Sequence, residues 1–178
     1  MSESFVVNVE DARWVTCEGF GAGTTFESRE DRFGQVGINI RLLGRGDAAS
    51  IYHSETAQED FLVLEGTCTL IVEGEARQLR AWDFVHCPPG TAHVFVGVGD
   101  DRCILLMIGA RGTDITYRYP VCDAAINLGA GVETETESPD EAYANAAPLV
   151  TARPPNWDDL PWSGRNQNRR PSGDRLSP

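Results

Sequence analysis

YHSETAQEDFLVLEG, at residues 52–66, and PPGTAH, at residues 88–93, are the two stretches that decide the fold of this chain. His53 and Glu55 are two residues apart, so in a strand their side chains share a face. Glu59 can join them after a local turn, and His93 returns on a later strand behind the rigid Pro-Pro-Gly corner. Imidazoles and carboxylates with open coordination positions are the ligand set of Fe(II), Mn(II), Ni(II) or Zn(II).

Both stretches resemble the two sequence motifs of the cupin superfamily. The pattern H-x-E-x3-E-x6-G that begins at His53 is similar to the first motif, and P-x-G-x2-H, which ends at His93, is similar to the second. The family usually carries His-x-His in its first motif, so Glu55 stands where a second histidine is expected. The second motif often opens with Gly and ends with Asn, where this chain has Trp82 and Gly97.

This resemblance covers about residues 35–110, the motif core, with both motifs in the right order. It implies an all-β fold, a double-stranded β-helix or jelly-roll barrel with a metal at its centre. It does not name a reaction, because cupins include dioxygenases, decarboxylases, isomerases and non-enzymatic binders.

The apolar residues around the motifs alternate as they do in short antiparallel strands. Those between Val36 and Leu42 alternate with small or polar residues, which predicts a half-buried strand. Further short runs are separated by Glu-Gly turns, as in a sandwich or barrel rather than in βαβ units. Residues 20–33 are rich in Gly, Thr and charge, which predicts a loop. We therefore expect a barrel domain over residues 1–120.

The sequence changes character after Pro120. Ser138 at an N-cap position, followed by a proline and by Glu141, predicts a short C-terminal helix that runs to about Ala147. We expect a C-terminal extension over residues 121–162, in which Trp157 and Trp162 lie across the barrel or across a partner barrel. Residues 163–178 lack apolar anchors, which predicts a disordered, extended tail.

The composition excludes several classes of function. A net charge of −12 argues against a nucleic acid as partner, because phosphate backbones are bound by clustered Lys and Arg, and it offers no attraction to an anionic membrane. All 15 basic residues are Arg, which excludes a lysine base or a Schiff base within this chain. Five cysteines without a CxxC pair, and an N-terminus without a signal-peptide pattern, indicate a cytoplasmic setting.

The predicted ligands of one divalent metal ion per chain are His53, Glu59 and His93, with Glu55 as a fourth. Glu55 has two open alternatives to ligation: it could accept a hydrogen bond that orients a ligand, or it could carry a proton in catalysis. Two imidazoles with two carboxylates form a hard, oxygen-rich set, which favours Mn(II) or Fe(II).

Four further residues are candidates for the substrate pocket. Arg41 either lines the barrel, where it could hold an acidic substrate, or lies on the outer sheet surface; the sequence leaves both open. Phe61, Phe95 and Met107 either wall the pocket or fill the barrel, and filling is the commoner role of such residues.

The function hypotheses follow from this metal site in a barrel that we expect to be a homodimer. The first is an oxidoreductase, a dioxygenase that acts on a compact, metal-chelating organic molecule. The second is a metal-dependent isomerase or lyase in which Glu55 or Glu59 moves a proton. The third is a non-catalytic protein that binds a sugar or a small organic acid.

Overall fold

The computed structural model describes residues 4–27 and 32–163 and confirms the all-β jelly-roll barrel. In chain order the strands are β1 (Trp14–Cys17), β2 (Gly21–Thr25), β3 (Val36–Leu43), β4 (Ser54–Glu55), β5 (Glu59–Glu65), β6 (Thr67–Val72), β7 (Glu75–Arg80), β8 (Phe84–Cys87), β9 (His93–Gly97), β10 (Cys103–Ala110), β11 (Tyr117–Arg118) and β12 (Val150–Thr151). Two short helices, α1 (Asp123–Ile126) and α2 (Pro139–Ala142), lie between β11 and β12.

Antiparallel pairing arranges these strands into two walls. The first wall is a sheet in the order β12-β1-β2-β3-β10-β5-β8. The second contains the β7-β6-β9 sheet and the β4-β11 pair. Backbone bridges from Ala48 to Val96 and from His53 to His93 connect the segment that leads into β4 with β9, and so join the two parts of the second wall. The barrel interior is the space between the two walls.

Inward-facing side chains from both walls form one core cluster inside the barrel. Leu43, Phe61, Val63 and Leu105 come from the first wall and Phe95 from the second, and each is fully buried. Alternate residues of a strand face the same side, so the period-two pattern of the sequence buries one face of each strand here. Burial of each such side chain stabilises the fold by about 1.5–3 kcal/mol.

A second apolar cluster lies on the outer face of the first wall, where the C-terminal extension covers it. Trp14 is buried there together with Ile40 of β3 and Leu160 of the extension. The Trp14 ring stacks on Trp162 at a centroid distance of 5.3 Å and meets Trp157 edge-on at 5.8 Å. The tryptophan segment therefore packs on its own barrel.

Gly66 of the first motif lies in the tight turn between β5 and β6. Its φ of 76° is in the left-handed region, which favours glycine. A Cβ at this position would lie 1.9 Å from the carbonyl oxygen of Arg102, closer than any side chain can approach. The motif glycine is thus required by both backbone conformation and space.

The loop predicted over residues 20–33 is wrong for Gly21–Thr25, which forms β2. This segment has low strand propensity, but it pairs with β1 on one side and with β3 on the other. Its glycines permit a close approach, because a Cβ on Gly21 would lie 2.3 Å from the carbonyl oxygen of Leu42. Tertiary pairing here overrides local composition.

Two predictions for the C-terminal extension have mixed outcomes. The Ser138 hydroxyl accepts a hydrogen bond from the Glu141 amide, as predicted, but the helix ends at Ala142 rather than near Ala147. Ser163, predicted as the start of the tail, is buried and donates its hydroxyl proton to the Asp158 carbonyl. The rest of the predicted tail, residues 164–178, lies outside the described residues.

Candidate metal centre

Three of the four predicted metal ligands converge at one end of the barrel. His53, Glu55 and Glu59 each offer one ligand atom, and these atoms lie within 4.8 Å of one another. His53 immediately precedes β4, Glu55 ends it, and Glu59 begins β5, so the short loop between the strands turns all three inward. Ligand atoms at this spacing could hold one metal ion.

His93, the fourth predicted ligand, contacts this group through Glu59. Its Nε2 lies 3.3 Å from Oε2 of Glu59, and only 3% of the His93 side chain is exposed. The contact is close, but the Glu59 oxygen forms no hydrogen bond and is fully buried. A buried carboxylate oxygen without a hydrogen bond is costly unless a cation balances it. The donor set and this oxygen both fit a divalent metal.

Backbone carbonyls fix the tautomer of both imidazoles. His53 Nδ1 lies 2.8 Å from the Ile51 carbonyl, and His93 Nδ1 lies 3.0 Å from the Thr91 carbonyl. A carbonyl oxygen can only accept, so each Nδ1 carries the hydrogen and donates it. The lone pair is therefore on Nε2 in the neutral form of each ring, which is the form that binds a metal.

Burial and mutual proximity shift the pKa values of these groups. Burial and, to a smaller extent, the neighbouring Glu59 charge together raise the pKa of Glu55 to about 7, while His93 acts in the opposite direction. Burial lowers the pKa of His53, as does the adjacent His93. Burial opposes a charge on His93 too, but contacts with Cys87 and Glu59 outweigh it and raise the pKa of His93 to about 10. Without a metal, His93 thus retains its second proton, and a metal that binds Nε2 has to displace it.

Three tyrosines of the C-terminal part close the site, and the sequence did not identify them. Tyr119 stacks on His53 at a centroid distance of 5.7 Å, and Tyr117 lies 6.3 Å from the same ring. Tyr143 meets Tyr119 edge-on at 6.1 Å, just after α2. The tyrosine spacing at 117 and 119, which puts both side chains on one face of a strand, is the signal that could have found two of them.

The predicted pocket residues lie inside the barrel. Phe61 and Phe95 are 4.5 Å apart between ring centroids and fully buried, and both rings contact His93. Met107 packs against this cluster and is partly buried. The two rings fill the barrel beneath the metal ligands.

Arg41 lies on the inner face of the first wall. It pairs with Leu105 of β10, which in turn pairs with Val63 of β5, and cross-strand partners share a face. Because Leu105 and Val63 belong to the interior core, Arg41 faces the interior as well. The structure thus places Arg41 in the first of the two positions that the sequence left open.

His86 and Cys87 are not among the residues whose ligand atoms converge. His86 is half-exposed and pairs with Asp60 at 2.7 Å on the outer face of the sheet. Cys87 points to the interior and is buried, with its thiol against His93.

Known proteins share this architecture. Residues 40–109, which contain the four predicted ligands, match the family model of the cupin domain. Similar solved structures include a sugar phosphate isomerase of the cupin superfamily from Silicibacter pomeroyi DSS-3, with 20% identity and a TM-score of 0.57 over 67% of this chain and 83% of that chain. The polyketide cyclase RemF from Streptomyces resistomycificus has 14% identity and a TM-score of 0.54 over 64% of this chain and 84% of that chain.

A third similar structure is an RmlC-like cupin from Shewanella frigidimarina NCIMB 400, with 18% identity and a TM-score of 0.53 over 64% of this chain and 95% of that chain. At these identities the likeness concerns the fold alone. No curated protein sequence matches this chain. Within residues 4–27 and 32–163, no helix is long and apolar enough to cross a membrane.

Proposed function

We propose, from the premise that this chain belongs to the cupin superfamily, that it binds one divalent metal ion through His53, Glu55, Glu59 and His93 and acts on a small organic molecule there. The observation that carries this proposal is the buried Glu59 oxygen, which lies 3.3 Å from Nε2 of His93 and forms no hydrogen bond. A cation at this point balances the carboxylates and accepts both Nε2 lone pairs.

Manganese or iron is the metal that we favour. The proposed set has two carboxylates and two imidazoles and no thiolate, which suits a hard or borderline divalent ion. The Cys87 thiol lies against His93 rather than within the triplet of ligand atoms, so it packs behind a ligand.

The reaction that we propose first is oxidation of a chelating substrate, as in a dioxygenase. A bound ion would polarise substrate oxygens and, as iron or manganese, would support oxidation by dioxygen. The chain's own residues prepare the site for this chemistry. Phe61 and Phe95 exclude water beneath the ligands, and the tyrosines at 117 and 119 cover His53 from the other side.

A second candidate reaction is a metal-dependent isomerisation or lyase reaction. The position of Glu55 favours this second reaction, because its carboxyl group is partly exposed. The backbone of Glu55 pairs with that of Tyr117 in β11. A carboxyl that is near both substrate and solvent can carry a proton between them. In this candidate reaction Glu55 is the proton carrier and Glu59, with its buried oxygen, remains a ligand.

The test is elemental analysis of protein purified without added metal, followed by oxygen-uptake measurements with small enols, diketones, catechols and hydroxy acids. About one equivalent of iron or manganese with substrate-dependent oxygen uptake is the expected result. Stoichiometric metal with conversion but no oxygen uptake favours the isomerase or lyase. Metal and ligand binding without turnover favours a binding protein, and protein that retains no metal contradicts the proposal. The homodimer and the cytoplasmic location stay predictions.

A further inference from the structure

Arg41 and the metal centre lie on one continuous inner surface of the barrel. On β10, Leu105 is the partner of Arg41 and Gly109 is the partner of Glu59. Four residues of strand, about 13 Å of backbone, therefore separate the two levels. The side chain of Met107 lies between them on the same face. A ligand that coordinates the metal and extends along this face points towards Arg41.

Arg41 differs from the other partly buried arginines that the structure describes. Arg102 pairs with Glu65 at 2.8 Å, and Arg111 pairs with Glu27. Arg41 has neither an ion pair nor a hydrogen-bond acceptor within residues 4–27 and 32–163. Burial lowers the pKa of Arg41, and interactions with Tyr143 and Cys17 act in the opposite direction. A half-buried guanidinium that has no counter-charge and stays accessible can bind an anionic group of a ligand.

Tyr143 provides a second donor beside Arg41. Its hydroxyl oxygen accepts a hydrogen bond from the Ile51 amide at 3.0 Å, which holds the phenol in place. The hydroxyl proton has no acceptor in the part of the chain that the structure describes. The phenol ring lies 5.6 Å from that of Phe20, directly before β2, and 6.1 Å from that of Tyr119, which stacks on His53, so it connects the β2 side of the first wall to the metal ligands. Its O–H is thus available to a ligand group that Arg41 binds.

Gly23 makes room for the Arg41 side chain on the neighbouring strand. A Cβ at Gly23 would lie 3.1 Å from Nη1 and 3.2 Å from Cδ of Arg41. The arginine therefore lies flat over β2 rather than extending into the core, and its position depends on the absence of a side chain there.

We propose that Arg41 and Tyr143 bind a carboxylate of the substrate, whose opposite end chelates the metal. This inference rests on the proposed function, because it assigns the metal to the other end of the same ligand. The substrate class is a compact organic acid with one carboxylate, an apolar middle that contacts Met107, and an enol, catechol or hydroxy-ketone end. One guanidinium and one phenol match a single negative charge, and the two carboxylates at the metal disfavour a phosphate dianion.

Paired probes test this assignment. The Mn(II)-loaded protein, kept free of oxygen, is titrated calorimetrically with 3-(3,4-dihydroxyphenyl)propionate, with its methyl ester and with 2-(3,4-dihydroxyphenyl)ethyl phosphate. The parent protein is expected to bind the acid at least about tenfold more tightly than the ester. One charge-assisted hydrogen bond accounts for an affinity difference of this size. Arg41→Gln should bring the acid-to-ester ratio close to one without changing ester affinity or metal content. Tyr143→Phe should lower the same ratio by a smaller factor.

Arg45→Gln is the matched control, because Arg45 is exposed and pairs with Asp100 on the surface. It removes the same charge and should leave the acid-to-ester ratio unchanged. A parent protein that binds acid and ester equally, or neither, overturns the inference, and so does tighter binding of the phosphate. A second pair without a chelating group, 3-phenylpropionate and its methyl ester, is titrated into metal-free protein. An acid preference there that Arg41→Gln abolishes supports the Arg41 site even if metal content contradicts the proposed function.

Discussion

His53 and His93 exchange two backbone hydrogen bonds across the barrel end. The His53 amide donates to the His93 carbonyl at 3.2 Å, and the His93 amide donates to the His53 carbonyl at 2.8 Å. Antiparallel residues that exchange both bonds project their side chains from the same side. The two imidazoles are therefore set side by side, 5.3 Å between ring centroids, by main-chain pairing. Removing either ring leaves this pairing intact.

The first prediction is that His53→Ala and His93→Ala lose metal without losing the fold. Each variant removes one of the two proposed nitrogen ligands, so bound metal should fall to a small fraction of the parent level. Elemental analysis and circular dichroism on the same samples measure both quantities. His86→Ala is the control, because this half-exposed histidine pairs with Asp60 away from the site. Full metal occupancy in both folded ligand variants would show that the site lies elsewhere.

A second prediction concerns pH and Glu55. In metal-free protein the pKa of Glu55 is raised to about 7 from 4.5, so the folded state binds the proton more tightly than the unfolded state. The resulting stabilisation is fully present below about pH 4.5 and is lost as the pH rises through 7. Glu55→Gln does not titrate. Its Tm should therefore equal that of the parent at pH 4.5 and exceed it at pH 8.

The measurement is thermal unfolding after treatment with a chelator. Glu137→Gln, at an exposed position, is the control and should show no pH-dependent difference from the parent. An equal Tm difference at both pH values would mean that Glu55 is not the group responsible.

The third prediction is that the tryptophan segment stabilises the barrel. Truncation after Ala152 keeps β12 but removes Leu160, Trp157 and Trp162 from the outer cluster. Losing such contacts costs about 3–5 kcal/mol, which corresponds to a Tm lower by roughly 10 °C for a chain of this size. Trp82→Ala is the control, since this tryptophan is 75% exposed and should change Tm little. Unchanged melting of the truncated protein would make the segment dispensable.

The fourth prediction is that Trp82→Gly stabilises the protein. Trp82 has a φ of 75°, a left-handed conformation that is costly for a residue with a Cβ, and it buries little of its ring. The cupin pattern often has glycine at this position. The gain should be about 1 kcal/mol in the free energy of unfolding, measured with urea. Trp82→Ala keeps the Cβ and should gain nothing, so equal stabilisation by both changes would assign the effect to loss of the ring.

The convergence of the histidines and glutamates could be predicted because it depends on short-range spacing. Side chains two residues apart share a face, and the Pro-Pro-Gly corner fixes where His93 returns. The position of Arg41 could not be decided in this way. Which face of β3 is inside depends on its pairing with Leu105, a contact distant in sequence.

Two other features escaped sequence reasoning because tertiary contacts override local preference. β2 consists of Gly, Ala and Thr, and it is a strand only because strands on both sides pair with it. The predicted helix ends at Ala142, and the Tyr143 hydroxyl accepts a hydrogen bond from the Ile51 amide. Ile51 is distant from Tyr143 in sequence, so no local pattern predicts this contact.

Pairing of β12 with β1 makes the first wall slow to complete during protein synthesis. Val15 pairs with Thr151, so one edge of β1 stays unpaired until the 136 residues from Thr16 to Thr151 have been translated. At about 5–20 residues per second, this interval lasts roughly ten seconds. Until then Trp14 lacks its stacking partner Trp162 as well. The nascent chain therefore carries an open, apolar strand edge for this time, and its productive folding depends on keeping that edge from pairing with other chains.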